Sequence, residues 1–232
     1  MKEEIRLENF SGVLPLFPLS NVVLFPHIVL PLHIFEKRYQ KLLRDALAGE
    51  KYIGMAVLKP GWEKNYQGNP DIYSYACLGK IIQHHPLENG RSNIMLLGVK
   101  RVLIGDIISP RPYRTAKVQL LHDKPIEFCP KKIRAYQDKL LELYGEIVIE
   151  FAASKRAFPT ISTLDMSFSQ ITDVIAASVG LDVKDQVDLL QNNDVENRAD
   201  FLIVKMEELL KKGGPSLTFP AKPGDFLRIN LN

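Results

Sequence analysis

The sequence predicts an α+β chain: a curled antiparallel β-sheet or pseudo-barrel carrying one early helix, followed by a bundle of four helices. Three observations predict it. Short apolar runs broken by Gly, Pro and Asn turns fill residues 12–121, the hydrophobic period becomes helical from Pro130 onward, and the charge divides near the same place. Residues 1–128 hold 17 Lys+Arg against 12 Asp+Glu, whereas 129–232 hold 13 against 15, so the two parts carry +5 and −2. The resulting division is a β-rich part over 1–128, a helical part over 129–214 and a tail over 215–232.

Residues 14–39 read LPLFPLSNVVLFPHIVLPLHIFEKRY. Pro15, Pro18, Pro26 and Pro31 each lack a backbone donor and push the preceding residue toward extended geometry, so the run before His33 forms strands and tight corners. Beyond Pro31, Phe35, Tyr39, Leu42, Leu43, Ala46 and Leu47 recur at helical spacing, with Glu36, Lys37, Arg38, Lys41, Arg44 and Asp45 on the other face. Gly49 is the expected left-handed stop. A short strand follows over 52–58, then a turn-rich loop over 59–71. The strands expected over 73–84 and 92–103 are joined through Asn89-Gly90, a hairpin signal because both residues tolerate positive φ. Gly98 and Gly105 mark bulges where the sheet curls, and 113–121 alternates as a further strand.

In the second part, Pro130 suits a first helical position, and Ile133, Tyr136, Leu140, Leu143, Tyr144, Ile147, Val148 and Phe151 form one apolar stripe. Ser167-x-x-Gln170 has the form of a capping box opening a helix that Gly180 closes, and Asp182 and Asp194 cap two more. Gly213-Gly214-Pro215 ends the last. The tail beyond it keeps Leu217, Phe219, Phe226, Leu227, Ile229 and Leu231, enough apolar content to dock on the body or on a neighbouring copy, so a homo-oligomer stays open.

The opening residues resemble a known family. Leu14 to Leu19 fits its Leu-Pro-Leu-x-Pro-Leu, Val22 to Pro26 its apolar run closing in Phe-Pro, and Leu30 to Leu32 its Leu-Pro-Leu. The pattern is similar to that of the Lon N-terminal substrate-binding domain, the part of the ATP-dependent Lon protease that precedes its motor. Ile34-Phe35-Glu36 and Arg38-Tyr39 resemble the stand-alone, cereblon-like branch. To about Lys212 the resemblance is one of element order. It implies a PUA-like β part, a helical second part, and a substrate- or adaptor-type binding module in protein quality control. Its partners would be unfolded or exposed hydrophobic protein segments.

The chemistry-bearing residues point to no catalysis. The only Gly-Lys pair, Gly79-Lys80, lacks the glycine at Ser74 and the hydroxyl at Ile81 that a phosphate-cradling loop needs, and it sits in an expected strand. Gly-x-Ser-x-Gly is absent, and Ser154-Lys155 are neighbours without the context of a dyad. No catalytic residue, metal ligand or cofactor is therefore expected. His84-His85 would face opposite sides of a strand, His27 and His33 are separated by Pro31, and Asp182, Asp185 and Asp188 have the spacing of helix caps rather than of a calcium site. Cys77 and Cys129 read as buried free thiols. The charged first residues and the lack of a long uncharged apolar run favour a cytoplasmic protein with no membrane partner.

What remains is recognition through apolar pockets or an unpaired sheet edge. The candidate peptide-binding residues are Phe25, on the stiff corner over 22–26, and Trp62 and Tyr66, in the polar loop over 59–71. Core packing is the favoured alternative for Phe25, and a folded-back lid competes evenly for Trp62. Glu36, in the best-matched motif, reads as a helix-start carboxylate next to Arg38 or Lys37. A rival reading is an RNA binder using Lys100, Arg101, Arg111 and Arg114, disfavoured because charges this spread equally serve solubility.

Overall fold

The computed structural model describes residues 7, 10–65, 68–109, 112–151, 161 and 166–212. Tyr66, Arg111, Ser154, Lys155 and the tail over 215–232, all singled out above, lie outside the described residues. The chain divides into two compact units between Leu121 and His122.

The first unit contains β1 (Val13–Leu19), β2 (Val29–Ile34), α1 (Lys37–Ala48), β3 (Tyr52–Leu58), β4 (Ile72–Pro86), β5 (Ser92–Ser109) and β6 (Arg114–Leu120). All strands join one six-stranded sheet in the order β2-β5-β4-β3-β1-β6, and a further β5–β6 pairing closes it into a barrel. The 18-residue β5 makes the closure possible. One of its edges pairs with β4; the other pairs with β2 through residues 92–97 and with β6 from Val102 to Ser109. The sheet is mixed, a correction to the antiparallel expectation, because β1 and β3 run parallel with Leu16 opposite Gly54. The chain between them carries β2 and α1, a crossover long enough to return in the same direction. Inside, Leu14, Leu16, Ala56, Ala76, Leu78, Val102 and Ala116 form a fully buried core.

Local signals position these elements. Asn89 at φ 58 and Gly90 at φ 72 make the tight turn between β4 and β5. Register shifts in β5 fall between Gly98 and Lys100 and between Ile104 and Ile107, so both expected bulges form. At Gly98 a Cβ would lie 2.0 Å from the Phe25 carbonyl oxygen. The loop from Phe25 to Ile28 crosses the strand there, with the His27 N–H donating to Gly98 O and the Gly98 N–H to Ile28 O, both at 2.8 Å. Gly49 departs from its expected role. Its φ is −108, and the left-handed residue is Lys51 at φ 63, whose N–H donates to Ala46 O at 2.9 Å. The helix still stops, because one residue beyond the turn can reverse the chain as well as the glycine can.

The second unit contains α2 (Pro130–Phe151), α3 (Phe168–Ser178), α4 (Val183–Gln191) and α5 (Val195–Lys211), with α2 and α3 packed on α5 and α4 on α3. The expected caps form. Ser167 Oγ accepts from the Gln170 N–H while Gln170 Oε1 accepts from the Ser167 N–H, Asp182 accepts from the Asp185 N–H, and Asp194 accepts from the Glu196 and Asn197 N–H groups. Gly180, at φ 78, follows α3. The extended residues before α2 belong to this unit because the Glu196 carboxylate accepts from the Glu127 and Phe128 N–H groups, 2.6 and 2.7 Å away. Cys77 is buried in β4, but Cys129 is exposed, a correction: it sits in the extended lead-in whose carbonyl accepts from the first turn of α2.

Candidate functional site

Closing the barrel consumes most strand edges, and what it leaves over is a three-stranded extension made by β2, the first half of β5 and the distal half of β4. Among the described residues, no strand pairs with the second edge of β2. Residues opposite one another across an antiparallel pair share a face. Leu32, Ile34, Ile94 and Leu96 therefore share the inner face, and all four are buried. Val29 opposite Leu97, Pro31 opposite Met95, and His33 opposite Asn93 share the outer face. This face is half-open: Val29 is 41% exposed, and the pairs beside it are only partly covered.

Phe35, just past β2, extends the stripe. It is 40% exposed and stacks on the His33 ring at 5.9 Å, while His33 Nδ1 lies 2.7 Å from Asn93 Oδ1. The imidazole is thus held by a side-chain amide on one side and an aromatic ring on the other. Ile82, the bulged residue of β4, adds a further exposed apolar group at the extension's other margin. Chemically, this face offers apolar contact and a strand edge, with Pro31 removing one donor from that edge.

A second feature of the unit is a small cleft where β1, α1 and β6 meet the end of the loop over 59–71, lined by Pro18, Arg38, Tyr39, Asn69, Pro70 and Arg114 among others. Arg114 is buried and donates from Nη2 to Pro70 O at 2.5 Å and from Nε to Asn69 Oδ1 at 3.4 Å. Arg38 pairs through Nε with Glu36 Oε2 at 3.0 Å and lies over the Tyr39 ring at 4.6 Å. Glu36 is the residue before α1 and makes no side-chain cap bond, so its ion pair with Arg38 is its visible role. Burial pushes the Tyr39 hydroxyl up to about 12, Arg38 and Arg114 acting against the rise and Glu36 with it.

The sequence-derived candidates fall elsewhere. Phe25 is fully buried, beneath the Arg101 guanidinium at 6.0 Å, so its ring packs in the core. Trp62 is half-buried at the start of a 3-10 turn, Trp62–Asn65, in a loop whose neck is closed by the Lys59 N–H donating to Asp71 O at 2.8 Å. Arg101 and Arg114 are buried, so two of the basic residues named for RNA serve the interior instead. His84 and His85 do face opposite sides, with His84 Nε2 3.1 Å from Ser92 Oγ. Asp185 is engaged by Lys205 at 2.9 Å and Asp188 by Gln191 at 3.0 Å; among the described residues no cluster of metal-ligating side chains is present. No helix of the described residues is long and apolar enough to cross a membrane.

The family model for the ATP-dependent protease La (LON) substrate-binding domain matches residues 13–208. The chain belongs to this family. Lon proteases from Cytophaga hutchinsonii and Flavobacterium johnsoniae are 26% and 28% identical to it, over 88% and 85% of this chain and 25% and 24% of their own length. The Lon protease of Escherichia coli K12 is 23% identical over 84% of the chain and 24% of its own length. The chain thus spans about a quarter of the curated relatives it matches, and the match lies in their substrate-binding region. Among solved structures, a Lon N-terminal domain protein from Xanthomonas campestris has a TM-score of 0.61 at 21% identity, covering 83% of this chain and 97% of that one. The N-terminal domain of the Mycobacterium avium complex Lon protease has a TM-score of 0.63 at 17% identity, covering 84% and 98%. The α+β fold of this chain, with its mixed sheet, matches the folds of both Lon N-terminal domains.

Proposed function

We propose that this chain is a non-catalytic recognition module that binds extended, apolar segments of unfolded proteins at the outer face of the β2–β5–β4 extension. The observation that carries the reading is the coincidence of exposed Val29 and Phe35 with an unpaired strand edge, in a chain of the Lon substrate-binding family. An extended client gains main-chain hydrogen bonds from the edge and side-chain burial from the face, without any group to break a bond. In the same reading the rolled sheet is PUA-like, α2 to α5 form a four-helix bundle, Trp62 offers a separate apolar contact on the loop before β4, and the role is that of a cytoplasmic adaptor in protein quality control.

The test uses a chemically unfolded, alkylated protein as a fluorescent probe, titrated with the full chain. The wild type is expected to bind weakly and without cleavage. Replacing Val29→Asp and Phe35→Ser together should weaken binding at least about fivefold while changing the unfolding free energy by no more than about 1 kcal/mol, about 0.5 for each exposed position. No binding by the wild type, or unchanged binding by the double variant, sinks the reading.

A further inference from the structure

The cleft between β1, α1 and β6 holds something the apolar outer face does not: polar groups gathered at one point with hydrogen-bonding capacity left over. Tyr39 is only 5% exposed, and its ring is fixed edge-on against Phe17 at 4.2 Å, yet its hydroxyl has no hydrogen-bond partner among the described residues. A buried hydroxyl left without a partner is destabilising, so such groups are uncommon where no ligand or water is received. Two guanidiniums flank it. Arg114 uses Nε and Nη2 on the neighbouring loop, and its Nη1 has no partner among the described residues. Glu36 supplies one carboxylate against these two cations, and Asp71 acts on Arg114 from an exposed position. The walls are Pro18, Pro70 and Pro112, rigid and without donors of their own.

We propose that this cleft is a carboxylate-binding subsite, in which the Tyr39 hydroxyl and the Arg38 and Arg114 guanidiniums receive the C-terminal carboxylate of a bound peptide. The donor set carries the assignment: planar guanidiniums match carboxylate oxygens, and a neutral hydroxyl adds a third donor to the same anion. A phenol is protonated across the physiological range, and burial pushes this one still higher, to about 12. Size limits the ligand. The enclosed space is about 20 Å³, room for one or two water-sized groups such as the oxygens of a carboxylate. A chain terminus therefore suits it better than an internal acidic residue, whose flanking chain must pass the mouth in both directions. The peptide source of the carboxylate rests on the recognition function proposed above; the donor geometry does not.

Three versions of one extended apolar peptide distinguish the sources: a free C-terminal acid, its amide, and an amide carrying an internal Asp. The acid should bind the full chain at least tenfold more tightly than either amide, and that preference should collapse in Tyr39→Phe, which keeps the ring on Phe17, and in Arg38→Gln. A parallel titration with ¹³C-acetate, read by line broadening, should report binding that Tyr39→Phe removes. Equal affinity for acid and amide overturns the terminal-carboxylate subsite and leaves the apolar recognition reading intact. Equal preference for the internal Asp peptide overturns the assignment to a chain terminus. Tyr39-dependent acetate binding with no peptide bound supports the subsite and removes the recognition reading. Acetate broadening unchanged by Tyr39→Phe overturns the subsite.

Discussion

A buried arginine of the helical unit and a buried tyrosine of the β unit stand in opposite polar surroundings. In the helical unit Arg198 is 1% exposed, and its guanidinium is saturated from within. Asp123 accepts from Nη1 at 2.9 Å, Asn192 O from the same nitrogen at 3.0 Å, Ser169 Oγ from Nη2 at 2.9 Å and Thr172 Oγ1 from Nε at 3.4 Å, with Asp173 at 3.8 Å. Thr172 in turn donates to Ser169 O at 2.7 Å. Every turn of that network ends inside the unit. In the β unit, by contrast, Tyr39 is buried with an unused hydroxyl, and the strand extension ends in an unpaired edge. The contrast teaches where recognition can reside: a closed polar network stabilises a scaffold, whereas unspent donors and an open edge are capacity for another molecule.

The comparison breaks most sharply at Arg198. Arg198→Met strands the Asp173 and Asp123 carboxylates, and the helical unit should lose about 3–5 kcal/mol, the cost of removing one partner from a buried ion network. Chemical denaturation followed at helical wavelengths checks this; a loss under 1 kcal/mol would mean the network is not what holds α3 against α5. Next comes the β unit's own steric keystone. In Gly98→Ala the new methyl must displace the Phe25 carbonyl, and about 1–3 kcal/mol should be lost, the range for overpacking a tight site. An unchanged denaturation midpoint would show that the 25–28 crossing yields easily.

The smallest effect sharpens the comparison at the surface of the β unit. The Tyr113 hydroxyl donates to Asp45 Oδ2 at 2.7 Å, and Lys41 holds Asp45 Oδ1 at 2.6 Å. Hydrogen bonds from Lys41 and then Tyr113 hold the Asp45 carboxyl below its ordinary value, while burial and the Asp45 bond push Tyr113 up to about 12. For Asp45 the folded value is the lower one, so the contribution is complete above the ordinary carboxylate range and fades as pH falls through the folded value. For Tyr113 the folded value is the higher one, so its contribution is complete below the ordinary phenol range and fades as pH rises toward about 12. Tyr113→Phe should remove Tyr113's share of the alkaline limb, leaving the share of Tyr39, and weaken the acid limb in part, with little change at neutral pH. A full alkaline limb in the variant would assign it to other groups.

Much of this was legible in the chain because it depends on neighbours in sequence. The caps at Ser167, Asp182 and Asp194, the turn at Asn89-Gly90 and the first helical position of Pro130 each involve residues within one turn of one another. The candidate surface was harder to read. Phe35 shares the helical spacing of Tyr39 and Leu42, yet α1 begins at Lys37, so Phe35 stands outside it and faces the His33 ring. Alternation in 29–34 was the available signal for the outer face, masked by Pro31 and by an apolar residue at nearly every position.

Local sequence fixes the α+β character, the family pattern and the caps at Ser167, Asp182 and Asp194, because periodicity, capping and turn chemistry act over a few residues; the charge change suggests a division at 128–129, whereas the compact units part between Leu121 and His122. Only the tertiary structure decided that β1 and β3 run parallel, that β5 divides its second edge between β2 and β6, and that Arg38, Tyr39 and Arg114 meet in one cleft. Strand neighbours and side-chain convergence are set by contacts between residues far apart in the chain, and no local pattern encodes which distant edge a strand will find.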